Sequence, residues 1–205
     1  MNKENKPGRV WKIALIVLLG FAFTGLLGFA IWEYIVSEKS VVRLGDYSNL
    51  TYTATNRDDA GTQVVDQLVE RSRFGGLVKK NAEELAEQTI RRYQSNANYM
   101  EVTLEEYLSF YFGTTEEDFK KDVEASSLQV AKEEAVTDAV ADKEGITLSD
   151  MQYETLLYRY MEMAGYTERE LFLKDYNEKE LRKQMRRDIT VDFLLTKAKG
   201  PALTD

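Results

Sequence analysis

The stretch YTERELFLKDYNEKEL, Tyr166–Leu181, says nearly the same thing twice. Tyr-Thr-Glu-Arg-Glu-Leu is followed ten residues on by Tyr-Asn-Glu-Lys-Glu-Leu. Each copy reads as a helix start. Thr167 or Asn177 is the expected cap, its side-chain oxygen accepting from a free N–H of the first turn. Glu170 or Glu180 reaches back to the cap's own N–H, and the pairs Tyr166/Leu171 and Tyr176/Leu181 have the spacing of a hydrophobic staple. The same grammar recurs at Val102-Thr103-Leu104-Glu105-Glu106-Tyr107 and at Leu148-Ser149-Asp150-Met151-Gln152-Tyr153. Each copy stands before an apolar run of helical period. The repetition is therefore helix punctuation, and it predicts a string of short helices rather than a functional motif.

Working outward, the chain reads as almost all helix beyond its first sixty residues. Val64, Val65, Leu68 and Val69 make one apolar face of a helix expected from Thr62 and stopped by Gly75-Gly76. Further helices are expected over 81–96, 103–112 and from Thr114 or Thr115 to Lys143, then from Ser149, Thr167 and Asn177, the last ending before Gly200-Pro201. Before them, Leu50–Thr55 alternates with period two and reads as one short strand in need of a partner. The apolar faces are narrow and the long helices heavily charged, which suits a multi-helix body with arms better than one thick core.

Ahead of all this, Ile13–Trp32 is a run of 20 residues with no charge and one hydroxyl, Thr24. At about 1.5 Å per residue it has the length of a bilayer's hydrocarbon core. Trp11, Trp32 and Tyr34 flank it, and Lys3, Lys6, Arg9 and Lys12 precede it, so the positive-inside rule predicts a cytoplasmic N-terminus and an extracytoplasmic remainder. A cleaved signal peptide, with Gly28-Phe29-Ala30 as its site, competes with this, but the run exceeds the ~7–15 residues of such peptides. The expected organisation is a cytoplasmic N-terminus over 1–12, a transmembrane anchor over 13–35, a tether and linker over 36–61, and a helical domain over 62–205.

Composition excludes several functions. The 205 residues contain no Cys and no His, so thiol nucleophiles, disulfides and the usual neutral-pH base are absent. Lys and Arg number 27 against 35 Asp and Glu, a formal net charge of −8, so a nucleic acid meets repulsion over most of the surface. The carboxylate pairs Glu116-Glu117 and Glu133-Glu134 are sequence neighbours pointing about 100° apart on a helix, so they do not converge on a substrate. What stands out is apolar surplus. Tyr107, Phe110, Tyr111 and Phe112 crowd one short stretch, and Tyr153, Tyr158, Tyr160, Met161 and Met163 another, more than one buried stripe needs. Met and aromatic side chains suit adaptable binding surfaces.

In their order and spacing these helices resemble the C-terminal domain of trigger factor, over about residues 62–199. VVDQLVERSRFG (Val64–Gly75) is similar to that domain's early arm helix and its exit. VTLEEYLSFYFGTTEEDFKKDV (Val102–Val123) is similar to its short helix, glycine and entry into the long helix. ADKEGITLSD (Ala141–Asp150) resembles its turn between long helices, and ELRKQMRRDITVDFLLTKAKG (Glu180–Gly200) its closing helix. VRLGDYSNLTYT (Val42–Thr53) resembles the linker that precedes the family's isomerase domain, yet here it runs within about ten residues into the arm helix. The resemblance implies an all-α fold, an elongated body with arms, preceded in this chain by a single transmembrane helix. It implies a chaperone that holds unfolded or newly exported polypeptides without ATP, metal or cofactor. Where the chain departs from the family, with no isomerase insert after that linker and the expected anchor in place of the ribosome-docking domain, no prolyl isomerase activity and no ribosome partner are expected; the charge balance adds no nucleic acid as partner. Tyr107, Phe110, Tyr111, Tyr153, Leu157, Tyr160 and Met161 are the expected client contacts. The competing expectation is an envelope adaptor that grips one specific partner through the same body.

Overall fold

The computed structural model describes residues 36–204. Its elements in chain order are β1 (Val41–Arg43), α1 (Arg57–Arg71), β2 (Arg73–Phe74), α2 (Gly76–Tyr99), α3 (Leu104–Phe112), α4 (Glu116–Glu144), α5 (Asp150–Met163), α6 (Arg169–Asp175) and α7 (Glu178–Lys197).

The helix boundaries follow from side-chain chemistry. Thr103 and Ser149 each close a full capping box, with Glu106 and Gln152 respectively. Asn177 accepts from the amides of Lys179 and Glu180. Asn56 accepts from Asp59 N–H and starts α1 at Arg57, five residues ahead of the expected Thr62. α3 and α4 each stop at a left-handed glycine, Gly113 at φ 65° and Gly145 at φ 66°. Nothing lies within 4 Å of the space a Cβ would take at either, so these positions demand glycine for its backbone freedom and not for room.

The expected cap at Thr167 does not form. α6 starts one residue later, at a Glu168 cap that makes no side-chain hydrogen bond, and Leu171, the expected staple, is half exposed. The reason is the entry of the chain. Gly165 takes φ 75° and the Tyr166 amide donates back to Met161 O, so this segment is closing α5 rather than opening α6.

The described residues form the expected mostly helical body, with one small sheet in which β1 and β2 pair antiparallel, Val41 opposite Phe74 and Arg43 opposite Arg73. The fold-class expectation is corrected at the membrane: no helix among the described residues is long and apolar enough to cross one. The run Ile13–Trp32 on which the transmembrane helix was expected lies outside the described residues, as does the expected anchor over 13–35.

Within residues 36–61, expected as a tether and linker, Val41, Leu44, Tyr47, Leu50, Tyr52 and Ala54 pack against the body. Leu50 is fully buried beside Val64, Leu68, Val136, Val140 and Leu194 in the largest apolar cluster. The expected strand at Leu50–Thr55 finds an unusual partner. Gln63 and Gln67, one turn apart on α1, reach its backbone: Thr53 N–H donates to Gln63 Oε1 at 2.8 Å and Gln67 Nε2 donates to Thr51 O at 2.5 Å. On the other side Tyr52 N–H donates to Lys199 O at 3.0 Å, Lys199 N–H to Leu50 O at 2.9 Å and Thr204 N–H to Thr55 O at 2.7 Å. The extended segment is therefore satisfied by two glutamine side chains and by the chain's last residues, forming isolated bridges instead of a sheet.

Two further clusters complete the interior. Val78 and Ala82 of α2 meet Ala131 and Ala135 of α4, small side chains that let the two long helices lie close. Tyr153, Leu157 and Met161 of α5 gather with Phe172 of α6 and Leu181 and Met185 of α7. α7 thus serves two interiors, Leu181 and Met185 in this outlying cluster and Leu194 and Leu195 in the largest one. Between them lies a polar belt. Arg187 donates to Glu134 at 2.5 Å and to both oxygens of Asp138 at 3.0 and 2.8 Å, and Arg186 to Ile146 O at 2.8 Å and Asp142 at 2.6 Å. Burial works against the Arg187 charge, but the hydrogen bond and charge of Asp138, with Glu134 behind them, hold its pKa above the usual value.

Candidate functional site

The turn from α2 through α3 into α4 gathers aromatic side chains that no core absorbs. α3 is only nine residues long, and its two buried residues are Leu104 and Leu108. Those two use up the face that meets the body, so Phe110, Tyr111 and Phe112 turn to solvent at 81%, 51% and 54% exposure. Tyr99, at the end of α2, is 89% exposed, with Met100 and Val102 half open beside it. Beneath lies a connected ring network. Tyr93 of α2 meets Phe119 at 4.9 Å, Phe112 at 5.7 Å and Tyr107 at 6.4 Å between centroids. Tyr107 meets Tyr111 at 4.8 Å, and Phe110 meets Tyr111 at 4.9 Å edge to face. The Tyr111 hydroxyl donates to Met100 Sδ at 3.4 Å. Tyr93 and Tyr107 therefore stiffen the platform while Phe110, Tyr111, Phe112 and Tyr99 offer their faces outward. Rings preorganised in this way bind apolar segments with little loss of side-chain entropy.

The rim of this platform is mostly acidic. Glu105 accepts from the Glu116 amide at 2.6 Å, and Lys120 and Lys121 pair with Glu116 and Glu117. Thr103 N–H and Oγ1–H both donate to Glu106, and these hydrogen bonds hold its carboxyl below the usual carboxylate range.

The second expected group divides. Tyr160 is half-buried, and its hydroxyl donates to Asp188 across to α7; burial, then that hydrogen bond, push its pKa well above the usual tyrosine value. Tyr153, Leu157 and Met161 were expected to face a client and instead are core, 1%, 1% and 5% exposed. They repeat at i, i+4 and i+8, one stripe of α5, and α6 and α7 close over that stripe. The large apolar residues of α5 that do face solvent are Met151, Tyr158 and Met163. Of the expected contacts, then, Tyr107, Phe110 and Tyr111 come together at one surface, and Tyr153, Leu157, Tyr160 and Met161 belong to the α5–α7 region apart from it. Tyr93 and Phe119 join the platform from neighbouring helices. They are single rings in long charged helices, and only the return of α4 against α2 brings them beside α3.

A mostly helical body sewn to its own linker carries an exposed aromatic platform, a surface suited to binding, and it can be set beside known proteins. The family model for the bacterial trigger factor protein (TF) C-terminus matches residues 51–198. The trigger factor of Carboxydothermus hydrogenoformans (strain ATCC BAA-161 / DSM 6008 / Z-2901) is 26% identical over 151 residues, which cover 71% of this chain and 34% of that protein. The match therefore spans about a third of the relative's length and lies in the chaperone part of such proteins, not the isomerase domain. With the family's match running from the linker strand at Thr51 to the end of α7, the chain belongs to the bacterial trigger factor C-terminus family.

Proposed function

We propose that the protein is an ATP-independent holdase for unfolded polypeptides, working on the outer side of a membrane on newly exported chains. The observation that carries the reading is the platform of Phe110, Tyr111 and Phe112, exposed rings seated on Tyr93 and Tyr107, with Tyr99 exposed at the end of α2. Each exposed ring that a client covers contributes roughly 25 cal/mol per Å² of apolar area, so several weak contacts hold a chain and still release it. Family membership supports the chaperone character. The extracytoplasmic placement is supported by sequence alone, through the uncharged run and the basic residues before it.

The deciding experiment is aggregation of a chemically denatured model protein with and without the purified chain. Suppression that weakens when Phe110 and Tyr111 are both changed to Ser, at unchanged helicity, is the expected result. No suppression even at excess chain refutes the holdase reading and leaves a single-partner adaptor. Protease added to spheroplasts tests the placement: digestion of the helical body is expected, and its protection places the body inside.

A further inference from the structure

α6 is a weak element in a consequential place. It has seven residues, its Glu168 cap makes no side-chain hydrogen bond, and Phe172 is its one buried residue. A helix this short has no stability of its own and stays formed only through what it packs on. Phe172 is 1% exposed, seated among Tyr153 and Leu157 of α5 and Leu181 and Met185 of α7. Leu173 and Tyr166 pack half-buried against the same cluster, and the segment's polar attachments are at the surface. Arg169 makes a forked pair with Glu154 at 2.7 and 3.0 Å, and the Tyr166 hydroxyl donates to Asp175 at 2.7 Å. Phe172 stacks on Tyr176 at 4.6 Å and meets Tyr166 edge to face at 5.4 Å, but both of these rings belong to the segment itself. At the segment's start Gly165 has φ 75° with open space around it.

The floor under Phe172 carries a defect. The Tyr153 hydroxyl is buried beside the Glu178 carboxylate without a hydrogen bond of full geometry to it; burial, then that carboxylate, raise its pKa, and the Arg182 guanidinium lies 3.6 Å from the centre of its ring. A buried hydroxyl left short of a full hydrogen bond is costly and regains water when the cluster opens.

We infer that residues 164–176, carrying α6, are a lid over a second apolar groove between α5 and α7, and that an aromatic-bearing segment of an unfolded polypeptide enters the groove in place of Phe172. This rests on the holdase reading above. The lid's own Phe172 defines the occupant: the groove takes one aromatic side chain against Tyr153 and Leu157, with Met161 and Met185 as adaptable walls. The closed lid competes with the client, so apparent affinity scales with the fraction of open lid. The groove is thus a gated partner to the permanently open platform on α3.

The chain has no cysteine, which makes the test clean. Glu154→Cys with Arg169→Cys, joined by a short bismaleimide, ties the lid shut, and Phe172→Ala removes its anchor. Both changes are made in the full chain carrying Phe110→Ser and Tyr111→Ser, which silence the open platform. The readouts are anisotropy of a labelled, reduced and alkylated unfolded polypeptide, and hydrogen exchange along the chain. Residual binding is expected to weaken about tenfold when the lid is tied and to tighten when Phe172 is removed. The α6 amides are expected to exchange ahead of those of α4 and of the C-terminal half of α7. Equal binding with tied and untied lids, or α6 amides that exchange only with those of α4, overturns the lid. If the unsubstituted chain binds the polypeptide but the platform-silenced one does not, the groove falls and the holdase reading stands. If the unsubstituted chain binds nothing, both fall together.

Discussion

Two tyrosines one helical face apart make opposite use of their hydroxyls. Tyr153 buries its oxygen beside the Glu178 carboxylate without a hydrogen bond of full geometry, while Tyr160 donates to Asp188 on α7. Tyr153→Phe removes a poorly met polar atom and keeps the ring, so it is expected to be neutral or to stabilise by about 1 kcal/mol in thermal or denaturant unfolding. Tyr160→Phe loses a charged hydrogen bond and is expected to destabilise by about 1–3 kcal/mol. The Tyr160 pKa is raised in the fold, so this contribution is intact below the ordinary tyrosine pKa of about 10 and is lost as pH rises through the higher folded value. Stability measured from pH 8 upward should therefore fall more steeply for the native chain than for Tyr160→Phe. Nothing in the sequence separates these residues. Both sit in one crowded stretch of α5, and seven positions put them on nearly one side. That crowding correctly marked an apolar surplus. Which rings are covered depends on where α6 and α7 return, which periodicity along one helix does not encode. On α3 the same crowding read true, because two leucines fill the buried face and leave the rings no other place.

Among the elements, the capping grammar was legible wherever the cap residue is free to open a helix. Thr103, Ser149 and Asn177 do so, whereas Thr167 is spent in the turn that closes α5. Thr103→Ala is expected to cost about 1 kcal/mol and to fray α3, while Thr167→Ala changes stability little. The same logic gives α3 a pH dependence. The Glu106 carboxyl accepts two hydrogen bonds from Thr103 and its pKa is lowered in the fold. Its contribution is complete above the unfolded carboxylate value of about 4.3 and is lost as pH falls through the lower folded value. Protection of the first-turn amides of α3, measured against their intrinsic exchange rates, should fall in acid, and Glu106→Gln should flatten that response. At this scale α1 was misread at its start because Asn56-Arg57-Asp58-Asp59 carries no apolar residue. A cap there is chemically sound, but it is silent to a search keyed on hydrophobic period.

Across the whole molecule, the segment before α1 proves to be an organising part of the body. Composition makes Ser37–Ser48 look like a tether, since charges mix there with small and apolar residues. Leu50 nevertheless enters the main core, and the backbone of Thr51 and Thr53 is held by Gln67 and Gln63. Polar side chains that serve as a strand's partner leave no apolar pattern, so this pairing was unreadable from sequence. The chain's end closes the same seam, with Lys199 and Thr204 bonded to Leu50, Tyr52 and Thr55. Tyr52 lies against Gly200, where a side chain would collide with its ring, and its hydroxyl donates to Pro201 O at 3.2 Å. A chain shortened to begin at Arg57 thus loses Leu50 from a fully buried site and orphans the C-terminal segment. Emptying a leucine site alone costs about 2–5 kcal/mol, a large share of what a domain of this size has. The shortened chain is therefore expected to melt well below one beginning at residue 36. Gln63→Ala with Gln67→Ala should reproduce part of the loss in the intact chain, by leaving the Thr53 amide without its acceptor. Equal melting of the two chains means that the linker only rests on the body. A shared loss for the shortening and the double glutamine change marks the linker strand as part of the fold, and it makes the α1 face that carries Gln63 and Gln67 its anchor.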